Sequence, residues 1–386
     1  MIKTDVCIIG SGPSGASTSL MLSKMKIPHY IIDKSTFPRD KTCGDGLILY
    51  AYKALLEIDK KLFDNFLKNP KFIHSKKIRL HINNDLNIDF QESKERDMVI
   101  SYAKRYDFDH FLIKHLSEEY TTCEFGNGVK SLKQHEDGIL IKLKDNKEII
   151  AKIVVGADGA NSIVSRKLAK NKIFKKLSST FVSGYFKGVI DMPKNNNAEV
   201  RIIYKKMPLY FYIFPLADGS SNVTLGGRSD LILKHKINLI KEIESIIAKH
   251  SKTCHRFNNA EKIGSWRGWS IPYDFDAKKV YGNRFLLVGD AAGLTNAFYK
   301  EGVGTGMMSG IICAKKITQT LNTDNFSENF LSSYQTDLKK EFGKLLNFSN
   351  FMAKLANYRY LFSSIVYLLK NRVERKSFDI IKRRSY

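Results

Sequence analysis

The stretch Val6-Cys7-Ile8-Ile9-Gly10-Ser11-Gly12-Pro13-Ser14-Gly15 passes from an apolar run into a glycine-rich turn. Residues 16–25, Ala-Ser-Thr-Ser-Leu-Met-Leu-Ser-Lys-Met, continue with a helical pattern, and His29-Tyr30-Ile31-Ile32 is a second apolar run ending on Asp33. Strand, glycine turn, helix, strand and acid, in that order, are what a dinucleotide-binding βαβ unit requires. Gly10 permits the tight turn, Gly12 lets a pyrophosphate approach the backbone, and Gly15 allows close packing of helix on strand. The helix amino terminus at Pro13 and Ser14 offers free N–H groups and a positive dipole to phosphates. Asp33, with Lys34 beside it, can accept hydrogen bonds from ribose hydroxyls.

Two more glycine turns directly follow apolar strands far down the chain. Ile153-Val154-Val155 runs into Gly156-Ala157-Asp158-Gly159-Ala160-Asn161-Ser162, and Phe285-Leu286-Leu287-Val288 into Gly289-Asp290-Ala291-Ala292-Gly293. In a parallel sheet all three turns sit at the carboxyl ends of strands, where ligands bind. One extended cofactor touching all three explains the pattern with a single cause.

Between these landmarks the periodicity predicts a lysine-rich helix over 51–71, strands at 77–82 and 86–90, and a helix from about Tyr106. Strands at 139–143 and 148–151 surround the turn Lys144-Asp145-Asn146. Residues 180–227 alternate like an antiparallel sheet, 236–250 read as helix, and a long helix is expected from Gly302 to Leu321. With no internal repeat and no low-complexity linker, the pieces are expected to interleave.

Together, GSGPSG with Asp33, VVGADGANSIVSR and FLLVGDAAGL resemble the FAD-dependent superfamily that includes p-hydroxybenzoate hydroxylase-type aromatic hydroxylases and geranylgeranyl reductases. The matches extend from the amino terminus to about residue 320. The resemblance implies that Arg105, in RYDFDHFL, approaches the cofactor, that Asp290 reaches the ribityl chain, and that Asp158, followed by Gly159, supports cofactor binding and NAD(P)H engagement. Phe37-Pro38-Arg39-Asp40-Lys41-Thr42-Cys43-Gly44-Asp45-Gly46-Leu47 resembles a segment of geranylgeranyl reductase-like flavoproteins that borders the flavin and substrate cavity. Arg39, Cys43, Gly44, Asp45 and Gly46 are cofactor-contact candidates on that ground, and Cys43 also a reactive one, its plain alternative being a small buried residue. Tyr210-Phe211-Tyr212-Ile213-Phe214-Pro215 is similar to the strand that shapes the reductases' apolar tunnel, with Tyr212 where they usually carry Trp.

After GDAAGL the family commonly continues NPFTGEGI, whereas this chain reads Thr295-Asn296-Ala297-Phe298-Tyr299-Lys300-Glu301-Gly302-Val303, followed by Gly304. Lys300 stands where glycine is usual. Near the isoalloxazine such a cation, with the following helix terminus at Glu301 to Gly304, stabilises negative charge on reduced flavin; pointed outward it is only a solvated lysine.

The architecture implied is α/β: a Rossmann-like FAD-binding domain with an inserted, mainly antiparallel β-sheet substrate domain and C-terminal helices. The FAD-binding domain would comprise 1–70, 97–175 and 274–325, the substrate domain 71–96 and 176–273, and the helical end 326–386. No second complete GxGxxG unit exists, so NADPH or NADH would dock transiently on the FAD scaffold, or a protein donor would supply electrons.

Composition narrows the classes. The 386 residues are 43% hydrophobic and 26% charged, which excludes a disordered or fibrous chain. Five scattered cysteines without a CxxC pair argue against a disulfide framework or a thiolate zinc site, so no metal is expected. That usage, with no secretory pattern at MIKTDVCIIG, points to the cytosol. Sixty-three basic against 39 acidic residues leave a net charge of +24, which attracts anionic partners; yet 48 of the basic residues are Lys in an Ile- and Asn-rich chain, the mark of composition bias. No specific nucleic-acid partner is expected.

From Phe348, apolar residues recur at helical spacing: Phe351, Leu355, Tyr358, Phe362, Val366 and Leu369. From Lys354 to the end nine basic residues face two acidic ones. The helix is expected to pack on the substrate domain and the basic tail to make weak, peripheral contact with an anionic membrane face. The apolar segment at 360–369 is too short to cross a bilayer of ~30 Å.

The function implied by the resemblance is reduction of carbon–carbon double bonds in an isoprenoid or other lipid-like substrate by hydride from reduced FAD. Cys43, Tyr210 and Tyr212 are the candidate proton donors, with Lys300 a fourth catalytic candidate. The alternative is an oxygen-using monooxygenase (hydroxylase) or a halogenase. Gly268-Trp269-Ser270-Ile271-Pro272 partly resembles the halogenase WxWxIP motif, but Arg267 holds the first Trp position and the segment lies later than that motif belongs. A binding scaffold that kept the fold without catalysis is the third reading.

Overall fold

The computed structural model describes all residues except 83–85, 92–98, 173–174 and 369–386. Its central sheet has eight strands, with Tyr281–Gly282, Phe285–Leu287, Glu148–Gly156, Ile2–Ile9, His29–Asp33 and Thr121–Phe125 side by side. The middle pairings are parallel, and one row of the register runs Ile32–Ile9–Gly156–Leu287. The three glycine turns therefore leave the sheet at the same level and on the same edge. The segments 148–151 and 153–155, expected as two strands, are one: its first half pairs with Gly138–Leu143 and its second with Phe285–Leu287. Val6 to Ile9 and Ile153 to Val155 are buried throughout, as strands covered on both faces must be.

The helix Pro13–Lys24 packs on the long helix Val303–Thr323. Close approach there requires glycine: a Cβ at Gly306 would lie 2.5 Å from Ser14 Oγ, and one at Gly310 2.5 Å from the Ser14 carbonyl oxygen. The expected helix over 51–71 is two helices, Leu49–Ile58 and Lys60–Lys68. Asp59 between them has extended backbone, and its side chain accepts from the Leu62 N–H at 3.1 Å, so a capping residue cuts what periodicity reads as continuous.

A second, seven-stranded sheet is mainly antiparallel, in the order Glu261–Pro272, Ser178–Lys187, Ser221–Arg228, Pro208–Pro215, Ala198–Tyr204, Lys77–His81, Asn87–Gln91. The parallel pair within it joins Lys77–His81 to Ala198–Tyr204. Side chains alternate across the sheet. Leu209, Phe211 and Ile213 pack with Leu239, Ile243 and Ile246 of the helix Leu239–Lys249. Tyr210 and Tyr212 point the other way, toward Phe298, Met352 and Phe362. A small sheet of Gly46–Ile48, Ile100–Tyr102 and Ile73–Ser75 joins the two larger ones. The carboxyl-terminal helices, Ser333–Leu355 and residues 359–368, cover the outer side of the Tyr210 cluster. Leu369 and the basic residues after it lie outside the described residues.

Candidate active site

Gly12, Asp158 and Asp290, one from each glycine turn, line a single cavity of about 550 Å³ that continues to Leu80, Val200, Phe181, Tyr210 and Trp269 on the second sheet. At the turn end the backbone explains each glycine. Gly10 has φ 98°, and a Cβ there would fall 2.4 Å from the Ala157 carbonyl oxygen; at Gly15 it would fall 1.9 Å from the Gly10 carbonyl oxygen. Gly12 is different. It has ordinary extended backbone, and the nearest atoms to a Cβ are Arg39 and Arg105 guanidinium nitrogens at 3.6 and 3.9 Å. No protein contact among the described residues demands glycine at this position, and the space beside it is open to the cavity. The helix it caps has no side-chain hydrogen bond at its amino end.

Of the residues singled out from the sequence, Pro13, Ser14, Lys34 and Gly159 line the cavity at the turns; Cys43, Gly44, Gly46 and Arg105 line its middle. Lys300, Glu301, Gly302 and Val303 enter from the third turn, and Tyr210 and Tyr212 from the second sheet. Gly10, Gly15, Gly289 and Gly304 stand behind the wall, where their lack of a Cβ admits neighbouring atoms: Ser14 Oγ would lie 2.2 Å from a Cβ at Gly289, and the Ala51 nitrogen 2.5 Å from one at Gly304. Asp33 holds the first turn, accepting from the Ser11 N–H and hydroxyl at 2.9 and 3.0 Å and from the Ser35 N–H at 2.9 Å. Arg39 pairs with Asp109 at 3.1 Å.

Arg105 is fixed by the same carboxylate, donating to both oxygens of Asp109 at 2.6 and 2.7 Å in a buried, bidentate pair. Asp45, buried behind Cys43 and Gly44, accepts from Tyr185 Oη at 2.9 Å, Asn222 Nδ2 at 2.8 Å and the Arg105 N–H at 3.3 Å. Burial still pushes its carboxyl up to about 7. This network ties the first turn's domain to the second sheet.

Asp158 spends one oxygen on the helix Ile163–Lys167, accepting from the Ile163 N–H at 2.6 Å. Its other oxygen is buried and has no partner among the described residues, and burial raises the carboxyl's pKa. Asp290 Oδ1 accepts from Thr295 Oγ1 at 3.2 Å. Lys41, which sequence reasoning quoted but did not assign, also faces the cavity, where the like charge of Arg105 lowers its pKa.

Lys300 does not point away from the protein. In left-handed backbone at φ 60°, its Nζ donates to Ser179 Oγ at 2.9 Å and to the Ala297 carbonyl. The nitrogen lies 5.1 and 5.2 Å from the ring centres of Tyr210 and Tyr273. No carboxylate pairs with it among the described residues, and burial pulls its pKa down to about 7. Glu301 beside it accepts from the Gly304 N–H, and burial pushes it up to about 7. Burial drives Cys43, Tyr210 and Tyr212 upward, so all three hold their protons at neutral pH. Gly44 makes room for Tyr212, whose hydroxyl would lie 2.0 Å from a Cβ at that position.

Sequence reasoning missed the apolar end. Leu80, Val200 and Phe181 gave no signal beyond strand alternation, and Phe298 lies in a turn of the segment after the third glycine turn, where its apolar character alone does not place it on the cavity. Trp269 did, in the segment set aside as misplaced; it lines the cavity and stacks on Phe181 with ring centres 5.5 Å apart.

The residues present fit FAD: open space at Gly12, an uncapped helix terminus, Asp33 at the second strand's end, and Asp158, with one oxygen unpartnered among the described residues, in the cavity lining. The sequence model of the FAD binding domain family matches residues 3–349. The chain belongs to that family. Among relatives of this FAD-binding chain is digeranylgeranylglycerophospholipid reductase 2 of Methanosphaera stadtmanae, 26% identical over 353 residues covering 89% of this chain and 85% of the relative. A 1H-pyrrole-2-carbonyl-[peptidyl-carrier protein] brominase of Pseudoalteromonas luteoviolacea is 26% identical over 344 residues, 84% and 80% of the two chains. The solved structure of a geranylgeranyl bacteriochlorophyll reductase-like protein from Thermoplasma acidophilum superposes with a TM-score of 0.80 at 19% identity, covering 94% of this chain and 90% of that one. The FAD-binding fold is thus the one expected from the glycine turns, and the chain is an FAD-dependent oxidoreductase similar to reductases of the geranylgeranyl type.

Proposed function

We propose that the protein reduces carbon–carbon double bonds of an isoprenoid or other lipid-like substrate. The observation that carries this reading is the continuity of one cavity from the three glycine turns to the apolar face of the second sheet. Residues 1–70, 97–175 and 274–325 would hold FAD, and 71–96 with 176–273 would shape the substrate's side. Bound FAD, reduced by NADPH, NADH or a protein donor, supplies the hydride that adds to one alkene carbon. Gly10, Gly12, Pro13, Ser14 and Gly15 form the pyrophosphate turn, Asp33 and Lys34 take the ribose side, Arg105, Asp158, Gly159 and Asp290 complete the grip, and Gly289 lets the third turn pack against Ser14 behind it. Leu80, Phe181, Tyr212 and Trp269 align the alkene and keep water out.

The second alkene carbon needs a proton. Of the four catalytic candidates, Lys300 is best suited to give it. Its pKa of about 7 leaves Nζ protonated in part at neutral pH and able to release the proton, whereas burial ties protons to Cys43, Tyr210 and Tyr212. Ser179 and the ring faces of Tyr210 and Tyr273 hold the ammonium on the cavity wall.

A cytoplasmic protein resting by its basic end on the inner face of a membrane suits such a substrate. The test is anaerobic reduction of the bound flavin followed by reoxidation with prenyl lipids. Reoxidation by the lipid supports the reading; reoxidation by oxygen alone overturns it. Trp269 on the cavity wall and the brominase relative favour the second reading, an oxygen-using hydroxylase or halogenase, which that result would support.

A further inference from the structure

The last described helix, residues 359–368, has two apolar stripes where packing needs one. Phe362 and Val366 face inward and are buried, joining Met352, Leu355 and Tyr210 in one cluster; the Phe362 ring lies 6.1 Å from that of Phe298, which lines the cavity. On the outer side Tyr360, Leu361, Tyr367 and Leu368 are 82%, 53%, 72% and 79% exposed. At positions i, i+1, i+7 and i+8 they share one face of the helix as two pairs, with the exposed Ser364 between the pairs. Tyr358, just before the helix, is exposed as well.

A helix that only closed the cavity would carry polar residues on this outer face. Exposed apolar side chains of this size gathered on one helix face mark an interaction surface. Charge indicates the partner. Between Glu341 and Glu374 the sequence has no acidic residue, and its charges there are Lys344, Lys354, Arg359, Lys370 and Arg372. Tyrosine, with an apolar body and a polar tip, suits the boundary between headgroups and acyl chains. No described helix is long and apolar enough to cross a membrane, so the contact is one of lying on the surface.

We propose that the stripe of Tyr360, Leu361, Tyr367 and Leu368 is a docking surface for an anionic lipid bilayer. The purpose assigned to it rests on the lipid-substrate reading above: a single helix, about 10 Å across, would separate the bilayer from the apolar cluster beside the cavity.

The full-length holoprotein is floated with vesicles of saturated phosphatidylcholine, alone or with about one third phosphatidylglycerol. The expected result is co-flotation with the anionic vesicles and much less with the neutral ones. The quadruple variant Tyr360→Ser/Leu361→Ser/Tyr367→Ser/Leu368→Ser should lose about tenfold or more in vesicle affinity, and the milder Tyr367→Ser/Leu368→Ser pair about threefold, both keeping the flavin spectrum of the wild type. A wild type that floats with neither kind of vesicle, or equally with both, overturns the proposal, as does a variant that binds as well as the wild type. A dimer in sedimentation velocity that the pair variant dissociates also overturns it, assigning the face to a second copy. The vesicles hold no alkene and no reductant, so failure here leaves the reductase reading standing, and failure of that reading leaves this result unchanged.

Discussion

Replacing Gly12 by alanine separates a glycine kept for a ligand from one kept for the fold. A Cβ at Gly12 meets nothing closer than 3.6 Å, and the backbone there, at φ −65° and ψ −179°, accepts any L-residue. In the apoprotein the substitution removes freedom from the unfolded chain without strain, a gain of about 0.4–1 kcal/mol that the poorer N-cap offsets, so stability should hold to within about 1 kcal/mol. The same methyl group stands in the path of the pyrophosphate, and FAD affinity should fall at least about tenfold, ~1.4 kcal/mol. Gly15→Ala is the contrast. Its methyl would sit 1.9 Å from the Gly10 carbonyl oxygen and 3.2 Å from the Ala157 Cβ, forcing the first helix back from the turn. Overpacking of that kind costs about 1–3 kcal/mol with or without cofactor. Urea unfolding of the deflavinated proteins measures the first quantity, and quenching of flavin fluorescence the second. A Gly12→Ala protein that binds FAD as tightly as wild type, or whose apoprotein is destabilised as much as Gly15→Ala, would refute the reasoning.

Three further outcomes are expected. Lys300→Met should slow alkene reduction by about 100-fold or more while leaving FAD bound, and the wild-type rate should decline as pH rises through about 7, where Nζ loses the proton it donates; single-turnover reoxidation across pH checks this, and a variant with an unaltered profile excludes the role. Asp45 has its folded pKa raised to about 7, so between its ordinary value and 7 the folded protein binds the extra proton and stability falls as pH rises, levelling off above; thermal melts of Asp45→Asn should lack that slope. Arg105→Ala leaves the buried Asp109 carboxylate with only Arg39 and should cost about 3–5 kcal/mol, most of it recovered when Asp109→Ala is added, as a double-mutant cycle by urea unfolding would reveal.

The glycine turns were legible because each residue type has a local mechanical reason, and the register row through Ile9, Gly156 and Leu287 then brings them together. The cavity side of Tyr210 and Tyr212 was legible in part, since alternation separates them from Phe211 but does not say which face is lined. The strand Glu261–Pro272 was not legible: most of it is exposed and it lacks the apolar alternation that marks a strand, yet it pairs along Ser178–Lys187. Its distance from the other cavity residues in the chain made Trp269 look misplaced. The direction of Lys300 depends on left-handed backbone at a loop residue, a choice that tertiary contacts with Ser179 and Ala297 make and sequence spacing does not. The predicted C-terminal seam placed Tyr358 and Phe351 beside Phe362, but both are exposed, because the chain turns at 356–358 and starts a new helix with a different face inward.

The neighbour order of the parallel sheet also sets a timetable for synthesis. Ile2–Ile9 leaves the ribosome early, but one of its partners, Glu148–Gly156, follows well over a hundred residues later, and the third turn waits for Phe285–Leu287 to join that partner's far edge. A nascent chain halted before Phe285 would display the first glycine hairpin with two of three jaws and a raw strand edge. Flavin capture is thereby reserved for chains synthesised past that third strand.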